Sequence, residues 1–329
     1  FDALDVAGYN YMVSQYERDH QLFPNRIIVG SETTPPDIAR IWPLVKKNGH
    51  IIGDFTWVGW DYLGEAGCGA FDYEENAGFF KPYPARLAFS GDIDITGHRR
   101  PMSYYREIIY GLRSDPYIAV QRVDRHGQKL NKSIWCGSDT VASWSWPGYE
   151  GKTAVVEVFS DAGEVELLLN GRSFGRKPAG EANQFMASFE IVYQPGTLEA
   201  VNYRGGQACG RMTLVSADEA AALAVDVDRA RLRADGADLA CLMITLTDEI
   251  GRPNLWQQKK VEIKVSGSGS LQGFGSADPY GTEDFSGNSK TTFDGRLLAV
   301  IRAADAPGPI RVELAAADCK TRIIDLFAE

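Results

Sequence analysis

The sequence contains no apolar run approaching the roughly 20 residues that a membrane-spanning helix requires. Its first residues also lack the basic segment followed by an apolar segment that marks a secretory signal. We therefore expect a soluble protein. Because the chain begins with Phe rather than Met, the compartment stays open, with the cytoplasm favoured over secretion.

Cysteine and histidine are scarce and scattered. The five cysteines lie far apart without a CxxC pair, and the four histidines form neither a triad nor a set with metal-ligand spacing. We expect the thiols to be buried without disulfides, as small apolar side chains. No metal and no cofactor are expected.

Positive charge is in deficit. Thirty-four Lys and Arg stand against 44 Asp and Glu, which gives a net charge of −10, and basic residues cluster only as isolated pairs. A protein without a basic surface is poorly suited to nucleic acid or to an anionic membrane. Neither is expected as a partner.

The composition is that of a globular protein, with 44% hydrophobic and 24% charged residues over 329 positions. This length predicts two to three domains. In residues 1–113, apolar strand-like runs at 4–9, 26–30 and 50–57 alternate with helical stretches at 11–23, 37–47 and 101–112. Three parallel units leave two strand edges unpaired, so we predict the C-terminal part of a (β/α)8 TIM barrel with about five units upstream.

After residue 113 the pattern becomes all-β. Short apolar segments alternate with turn signals such as Asn170-Gly171, the strongest local signal for a hairpin. An Ala-rich, acidic stretch at 217–224 is interpreted as a connector rather than a helix. We predict two immunoglobulin-like β-sandwiches, at residues 114–215 and 216–329.

Polar and aromatic residues follow the three strands of the α/β part. The first strand ends in Asn10 and Tyr11, the second runs into Glu32, and the third runs into a tryptophan-rich stretch. In a parallel barrel the C-terminal strand ends face the substrate, although a Glu there can also cap the next helix. Aromatic faces stack on sugar C–H groups while carboxylates and amides bind hydroxyls. The combination suits a pyranose.

The order GYNY, GSET and GDFTWVGWDYLGE resembles the last three strands of the catalytic barrel of glycoside hydrolase family 2, and is most similar to its β-galactosidases. The motifs cover residues 1–113. Beyond them, WSWPGYEGK at 144–152, LLLNGRSFG at 167–175 and GFGSADPYGTEDF at 273–285 resemble the accessory β domains of those enzymes.

The resemblance implies a retaining β-glycosidase in which Glu32 is the nucleophile. It further implies a set of substrate-binding residues around that carboxylate: Asn10, Tyr11, Trp57, Trp60 and Asp61. Tyr11 would hydrogen-bond Glu32, Trp57 would form the sugar platform, and Trp60 and Asp61 would lie near the rim.

The acid/base carboxylate is missing from the pattern. In the family it belongs to an Asn-Glu pair, and this chain has no such dipeptide; the Glu-Glu-Asn run at 74–76 follows the last strand and is not assigned to this role. We expect the chain to be inactive alone. The expected protein partner is the N-terminal portion of the same enzyme or a second copy of the chain.

The expected substrate is a β-galactoside or a related neutral glycoside, because residues 91–101 lack the Asn-x-Lys motif of β-glucuronidases. Two alternatives stay open. One is another family 2 activity, a β-mannosidase or β-glucuronidase. The other is a non-catalytic protein whose sandwiches bind a polysaccharide through exposed tryptophans, the candidates being Trp135, Trp144, Trp146 and Trp256.

Overall fold

A computed structural model describes residue 1 and residues 3–64, 67–73 and 81–329 of the chain. A small α/β region comes first and two β-sandwiches follow it. Within the described ranges, no helix is long and apolar enough to cross a membrane.

The α/β region is a three-stranded parallel sheet in the order β1-β2-β3. Its strands are β1 (Val6–Asn10), β2 (Ile27–Thr33) and β3 (Ile51–Thr56). Its helices are α1 (Tyr16–Leu22), α2 (Ile38–Lys47) and, after a long loop, α3 (Pro101–Ile109). One-turn 3-10 helices, Val13–Gln15 and Pro35–Asp37, precede α1 and α2. The three predicted strand-helix units are therefore present.

Two helix ends differ from the sequence-based prediction, each for a local reason. The helix predicted from residue 11 begins at Tyr16, because Tyr11 has a φ of 54° and cannot continue a right-handed helix. The helix predicted to reach residue 112 ends at Ile109. There Gly111 has a φ of 75°, and the Leu112 amide donates back to the Glu107 carbonyl, as in a Schellman cap.

Part of this sheet is packed against the helices, and part of it is exposed. Tyr16, Ile28 and Ile41 are fully buried between the sheet and the helices. In contrast, Ile52 and Phe55 of β3 are 56% and 67% exposed. Large apolar side chains on an edge strand mark a surface that other protein normally covers.

The first sandwich contains eight strands in two four-stranded sheets, with orders β5-β4-β6-β9 and β11-β10-β7-β8. The strands are β4 (Tyr117–Gln121), β5 (Thr140–Val141), β6 (Thr153–Phe159), β7 (Glu164–Leu169), β8 (Arg172–Pro178), β9 (Met186–Val192), β10 (Thr197–Arg204) and β11 (Gln207–Val215). Two 3-10 helices, Val123–Arg125 and Glu181–Asn183, lie in the connections. Alternate residues of strands such as β9 point into a shared core, as the period of two requires.

The predicted hairpin at Asn170-Gly171 is confirmed. Both residues have positive φ, 51° and 78°, and they join the antiparallel strands β7 and β8. Two successive left-handed residues, as in a type I′ turn, match the right-handed twist of the flanking strands, which is why Asn-Gly is such a strong local signal.

The second sandwich has sheets in the orders β12-β14-β18-β16 and β13-β20-β19-β15-β17. The strands are β12 (Ala222–Val227), β13 (Arg231–Leu232), β14 (Leu239–Thr247), β15 (Lys260–Gly267), β16 (Gly269–Gly275), β17 (Ser289–Thr291), β18 (Arg296–Ala303), β19 (Gly308–Ala316) and β20 (Arg322–Ala328). Residues 217–221 are not helical, whereas residues 222–224 of the stretch interpreted as a connector already belong to β12. The domain limits that we predict at 113 and 215 fall between α3 and β4 and between β11 and β12.

Two expectations about single residues were wrong. Trp144 and Trp146 are 0% and 7% exposed, inside the core of the first sandwich, and cannot present a face to a polysaccharide. The five cysteines are free thiols, but only Cys68 and Cys136 are buried as expected. Cys241 and Cys319 are partly buried, and Cys209 is exposed, because β11 presents it toward solvent.

Candidate functional site

Glu32 lies near the C-terminal end of the central strand β2, where two residues from the end of β1 donate hydrogen bonds to it. The Tyr11 hydroxyl donates to Oε1, and the Asn10 amide donates from Nδ2 to Oε2 at 3.2 Å. Both carboxylate oxygens therefore accept from the neighbouring strand. Two donors facing one carboxylate suit its ionised form.

The register of the parallel sheet produces this cluster. Asn10 pairs with Glu32 between β1 and β2, and the Tyr11 backbone amide donates to the Glu32 carbonyl at 2.7 Å. The left-handed φ of Tyr11 then ends the strand at this point. Ser31 donates to Asn10 Oδ1 at 2.7 Å, which fixes the amide so that its NH2 group faces Glu32.

Burial raises the pKa of the Tyr11 phenol above its usual value, and its hydrogen bond to Glu32 acts in the same direction. The phenol consequently keeps its proton at neutral pH. Tyr11 is thus a permanent donor to Glu32.

Two tryptophans follow β3, beside this cluster. The Trp57 amide donates to the Thr33 carbonyl at 2.8 Å, which ties the end of β3 to the end of β2. The Trp57 ring meets Tyr62 edge-on at 5.8 Å, and the peptide bond from Trp57 to Val58 is cis. Trp60 is 53% exposed. Their predicted contacts with sugar stay predictions.

Asp61 occupies a different environment from the rim position expected for it. Its carboxylate forms an ion pair with Arg100 at 2.5 Å and accepts from the Gly91 amide at 2.7 Å, and only 2% of the side chain is exposed. Burial raises the pKa of Asp61, while Arg100 and Gly91 oppose that rise. A Cβ at Gly91 would lie 2.6 Å from the Asp61 backbone nitrogen. Asp61 therefore holds the loop together, and we do not carry it forward as a sugar ligand.

The carboxylates of Asp92 and Asp94, in the loop after β3, are engaged within the protein. Asp94 Oδ1 accepts from the Thr96 amide at 2.8 Å, and Asp92 pairs with Arg106 at 2.6 Å. Among the described residues, no group of three or more His, Cys, Asp or Glu side chains is placed to hold a metal ion. Residues 74–76 lie outside the described part.

Trp135 joins this cluster from the first sandwich, and sequence reasoning did not place it there. Its indole Nε1–H donates to the Tyr11 hydroxyl at 2.6 Å, and the two rings meet edge-on at 6.1 Å. The sequence offered only an aromatic residue in a loop 124 positions away from Tyr11. No local pattern could connect the two.

Comparisons with known proteins agree with the architecture. Residues 223–325 match the family model described as glycoside hydrolase family 2 C-terminal domain 5, and residues 151–210 match a domain of unknown function (DUF4982). The stretches LLLNGRSFG and GFGSADPYGTEDF lie inside these two matches. A β-galactosidase of Bacteroides ovatus, BoGH2A, is 24% identical over 99% of this chain and 39% of that protein. A putative β-glucuronidase of Formosa agariphila is 25% identical over 84% of this chain and 24% of that protein.

A solved structure extends the match to the whole length of the chain. A glycosyl hydrolase family 2 member from Bacteroides cellulosilyticus superposes with a TM-score of 0.91 at 33% identity, covering 100% of this chain and 42% of that one. The chain spans about two fifths of the length of this protein and of BoGH2A. With a family 2 domain near its C-terminus and a family 2 structure that matches it throughout, this chain belongs to glycoside hydrolase family 2.

Proposed function

We propose that this chain supplies the nucleophile of a retaining β-glycosidase, most specifically a β-galactosidase that removes terminal non-reducing β-D-galactose. The observation that carries the proposal is the Glu32 carboxylate, held by Asn10 and Tyr11 at the end of a parallel strand. Trp57 and Trp60 follow the adjacent strand and provide apolar faces for the sugar.

The chemistry is a double displacement. A Glu32 oxygen attacks the anomeric carbon, the bond from that carbon to the aglycone oxygen breaks, and a second carboxyl group protonates the leaving oxygen. Water then attacks the glycosyl-enzyme, its proton passes to the same second carboxylate, and Glu32 leaves as a carboxylate. Tyr11 and Asn10 aim the Glu32 carboxylate before the first step, and they face it again when the second step releases it.

The three strand-helix units are proposed to be the last part of an eight-unit barrel. The exposed apolar side chains Ile52 and Phe55 on β3 support neighbouring strands that cover them. The acid/base carboxyl is then expected elsewhere in a longer protein, about 5 to 5.5 Å from Glu32, as in retaining enzymes. The chain alone should bind sugar weakly and not turn it over.

A neutral sugar is favoured by the charges of the loop after β3. Arg100 is paired with Asp61 at 2.5 Å, and Arg99 is paired with Glu107 at 3.2 Å. An arginine already neutralised by a carboxylate is a poor ligand for a uronic acid. BoGH2A is named a β-galactosidase, and the Formosa relative, a putative β-glucuronidase, makes glucuronides the second candidate.

The test is covalent labelling of the longest protein that contains this chain. A 2-deoxy-2-fluoro-β-galactoside with a dinitrophenolate leaving group should form a stable ester that peptide mass spectrometry locates on Glu32. Glu32→Gln should abolish labelling and turnover, whereas Glu190→Gln, an exposed glutamate on β9, should leave both intact. Label on another residue, or unchanged turnover in Glu32→Gln, would refute the proposal. If only the corresponding fluoroglucuronide labels Glu32, the substrate is a glucuronide rather than a galactoside, and the proposed mechanism stands.

A further inference from the structure

We infer that Trp135, although it belongs to the first sandwich, is a positioning residue for the nucleophile and acts through Tyr11. This inference rests on the proposed role of Glu32. The carrying observation is a chain of two hydrogen bonds, from the Trp135 indole to Tyr11 Oη and from the Tyr11 hydroxyl to Glu32 Oε1.

The direction of this chain follows from the donors available. An indole N–H can only donate, so the phenol oxygen of Tyr11 must accept at that contact. A phenol has a single proton, and with its lone pair engaged by Trp135 at 2.6 Å that proton points to Glu32. Trp135 therefore selects the rotamer of the Tyr11 hydroxyl that serves the nucleophile. It also polarises the phenol, because linked hydrogen bonds strengthen one another.

The Trp135 loop is built to hold that indole in place. The Cys136 amide donates to the Ser133 carbonyl at 3.2 Å, and the Trp135 amide lies 3.3 Å from Ser133 Oγ, which makes a tight turn around the tryptophan. The buried Cys136 thiol donates to the Gly69 carbonyl in the loop after β3.

A second attachment lies four residues before the tryptophan. Asn131 and Asp72 exchange backbone hydrogen bonds of 2.7 and 3.1 Å in an antiparallel bridge. The loop is thus fastened to the α/β region on both sides of the indole. Because its backbone is held at these two points, the loop keeps the Trp135 indole at a fixed position relative to Tyr11.

The experiment compares the rate at which the fluoroglycoside labels Glu32 in four forms of the longest protein: unaltered, Trp135→Phe, Tyr11→Phe, and the double variant. Phe keeps an aromatic ring but removes the N–H donor together with part of the volume of the indole, and the control must therefore lose the same volume. Trp42→Phe is the matched control, because Trp42 packs against Tyr110 at the helical interface. Thermal unfolding of each variant checks that folding is retained.

We expect Trp135→Phe to slow labelling about tenfold, a factor that corresponds to about 1.4 kcal/mol, while Trp42→Phe leaves the rate unchanged. In turnover assays the loss should appear in kcat more than in KM, because Trp135 acts on the orientation of Tyr11 beside the nucleophile. In the Tyr11→Phe background, Trp135→Phe should change the labelling rate less than twofold, because the phenol through which Trp135 acts is absent.

Two results would overturn the inference. One is a Trp135→Phe protein that labels at the unaltered rate. The other is a tenfold loss that persists in the Tyr11→Phe background, which would mean that Trp135 acts independently of Tyr11. Both leave Glu32 labelled, and so differ from failure of the proposed function, in which the unaltered protein carries no label on Glu32.

Discussion

Arg122 joins the two sandwiches through ion pairs, and its replacement gives the sharpest test of how the molecule is held together. Its guanidinium forms a bidentate pair with Asp294 of the second sandwich, at 2.9 and 2.8 Å, and its Nε contacts Asp139 at 2.9 Å. The hydroxyl of Tyr73, from the loop after β3, donates to the other oxygen of Asp139 at 2.9 Å. Three parts of the fold therefore meet at one cation.

The magnitude follows from burial. The side chains of Arg122, Asp139 and Asp294 are 20%, 9% and 19% exposed. Removing one partner of a buried ion pair costs about 3–5 kcal/mol, because the remaining charge is left uncompensated. Arg122→Met keeps much of the length and leaves two carboxylates without a cation. Since the site is up to one fifth exposed, we expect the low end of the range, about 3 kcal/mol.

The matched control is Arg211→Met on β11. Arg211 forms one ion pair, with Glu199 at 3.1 Å, and 63% of its side chain is exposed. An exposed pair of this kind contributes about 0–1 kcal/mol. Asp294→Asn is a third variant for comparison. Its amide keeps a hydrogen bond to Arg122, and the substitution removes one negative charge.

Differential scanning calorimetry with urea unfolding at neutral pH is the assay. For domains of about 100 residues, a loss of 3 kcal/mol corresponds to a fall of roughly 10 °C or more in Tm. Arg122→Met should show that fall and should separate the unfolding of the second sandwich from the rest, while Arg211→Met should shift Tm by only a few degrees. Equal effects of the two substitutions would refute the reasoning that the junction ion pairs stabilise the assembly of domains.

Three further predictions concern single side chains. Tyr11→Phe removes a hydrogen bond to a carboxylate, worth about 1.5–3 kcal/mol, and should lower kcat/KM of the longer protein by about ten- to a hundredfold; a loss below threefold would contradict the role of Tyr11. Burial, together with the charge of Arg296, lowers the pKa of His98 from 6.5 to about 4. Between pH 6.5 and 4 the unfolded chain binds a proton that the folded chain does not bind, so the free energy of unfolding should decrease as the pH is lowered from 6.5 to 4, by at most about 3 kcal/mol. Urea titrations of His98→Gln should show a smaller decrease over the same pH range. Trp144→Ala should cost roughly 3–5 kcal/mol in the same assay, because the indole is fully buried and donates to the Gln194 carbonyl; a cost below 1 kcal/mol would contradict its place in the core.

Much of the fold could be predicted because its signals are local. Alternation of apolar residues over five to nine positions predicts a strand, and Asn170-Gly171 predicts a hairpin because few residue pairs adopt two successive left-handed conformations. Glu32 could be placed near a strand end because an apolar run precedes it, whereas its assignment as the nucleophile came from the resemblance of GYNY, GSET and GDFTWVGWDYLGE to glycoside hydrolase family 2.

The limits of this approach are visible in Asp61 and in the tryptophans. Asp61 and Trp60 are neighbours in sequence and look equivalent there, yet one is buried against Arg100 and the other is 53% exposed. Alternation cannot decide this, because both follow the end of β3, where the chain no longer has the period of a strand. Trp144 and Trp146 are candidates for an exposed polysaccharide-binding surface by sequence, yet both belong to the core of the first sandwich.

The sequence by itself determined the strands, the turns, the order of the three parts and the candidate nucleophile, because each depends on residues close together in the chain. Only the tertiary structure decided which distant side chains meet. Trp135 reaches Tyr11 across 124 positions and Arg122 reaches Asp294 across 172, and both contacts exist because separate domains pack against one another. Contacts of that kind depend on the relative placement of whole domains, which no window of the sequence contains.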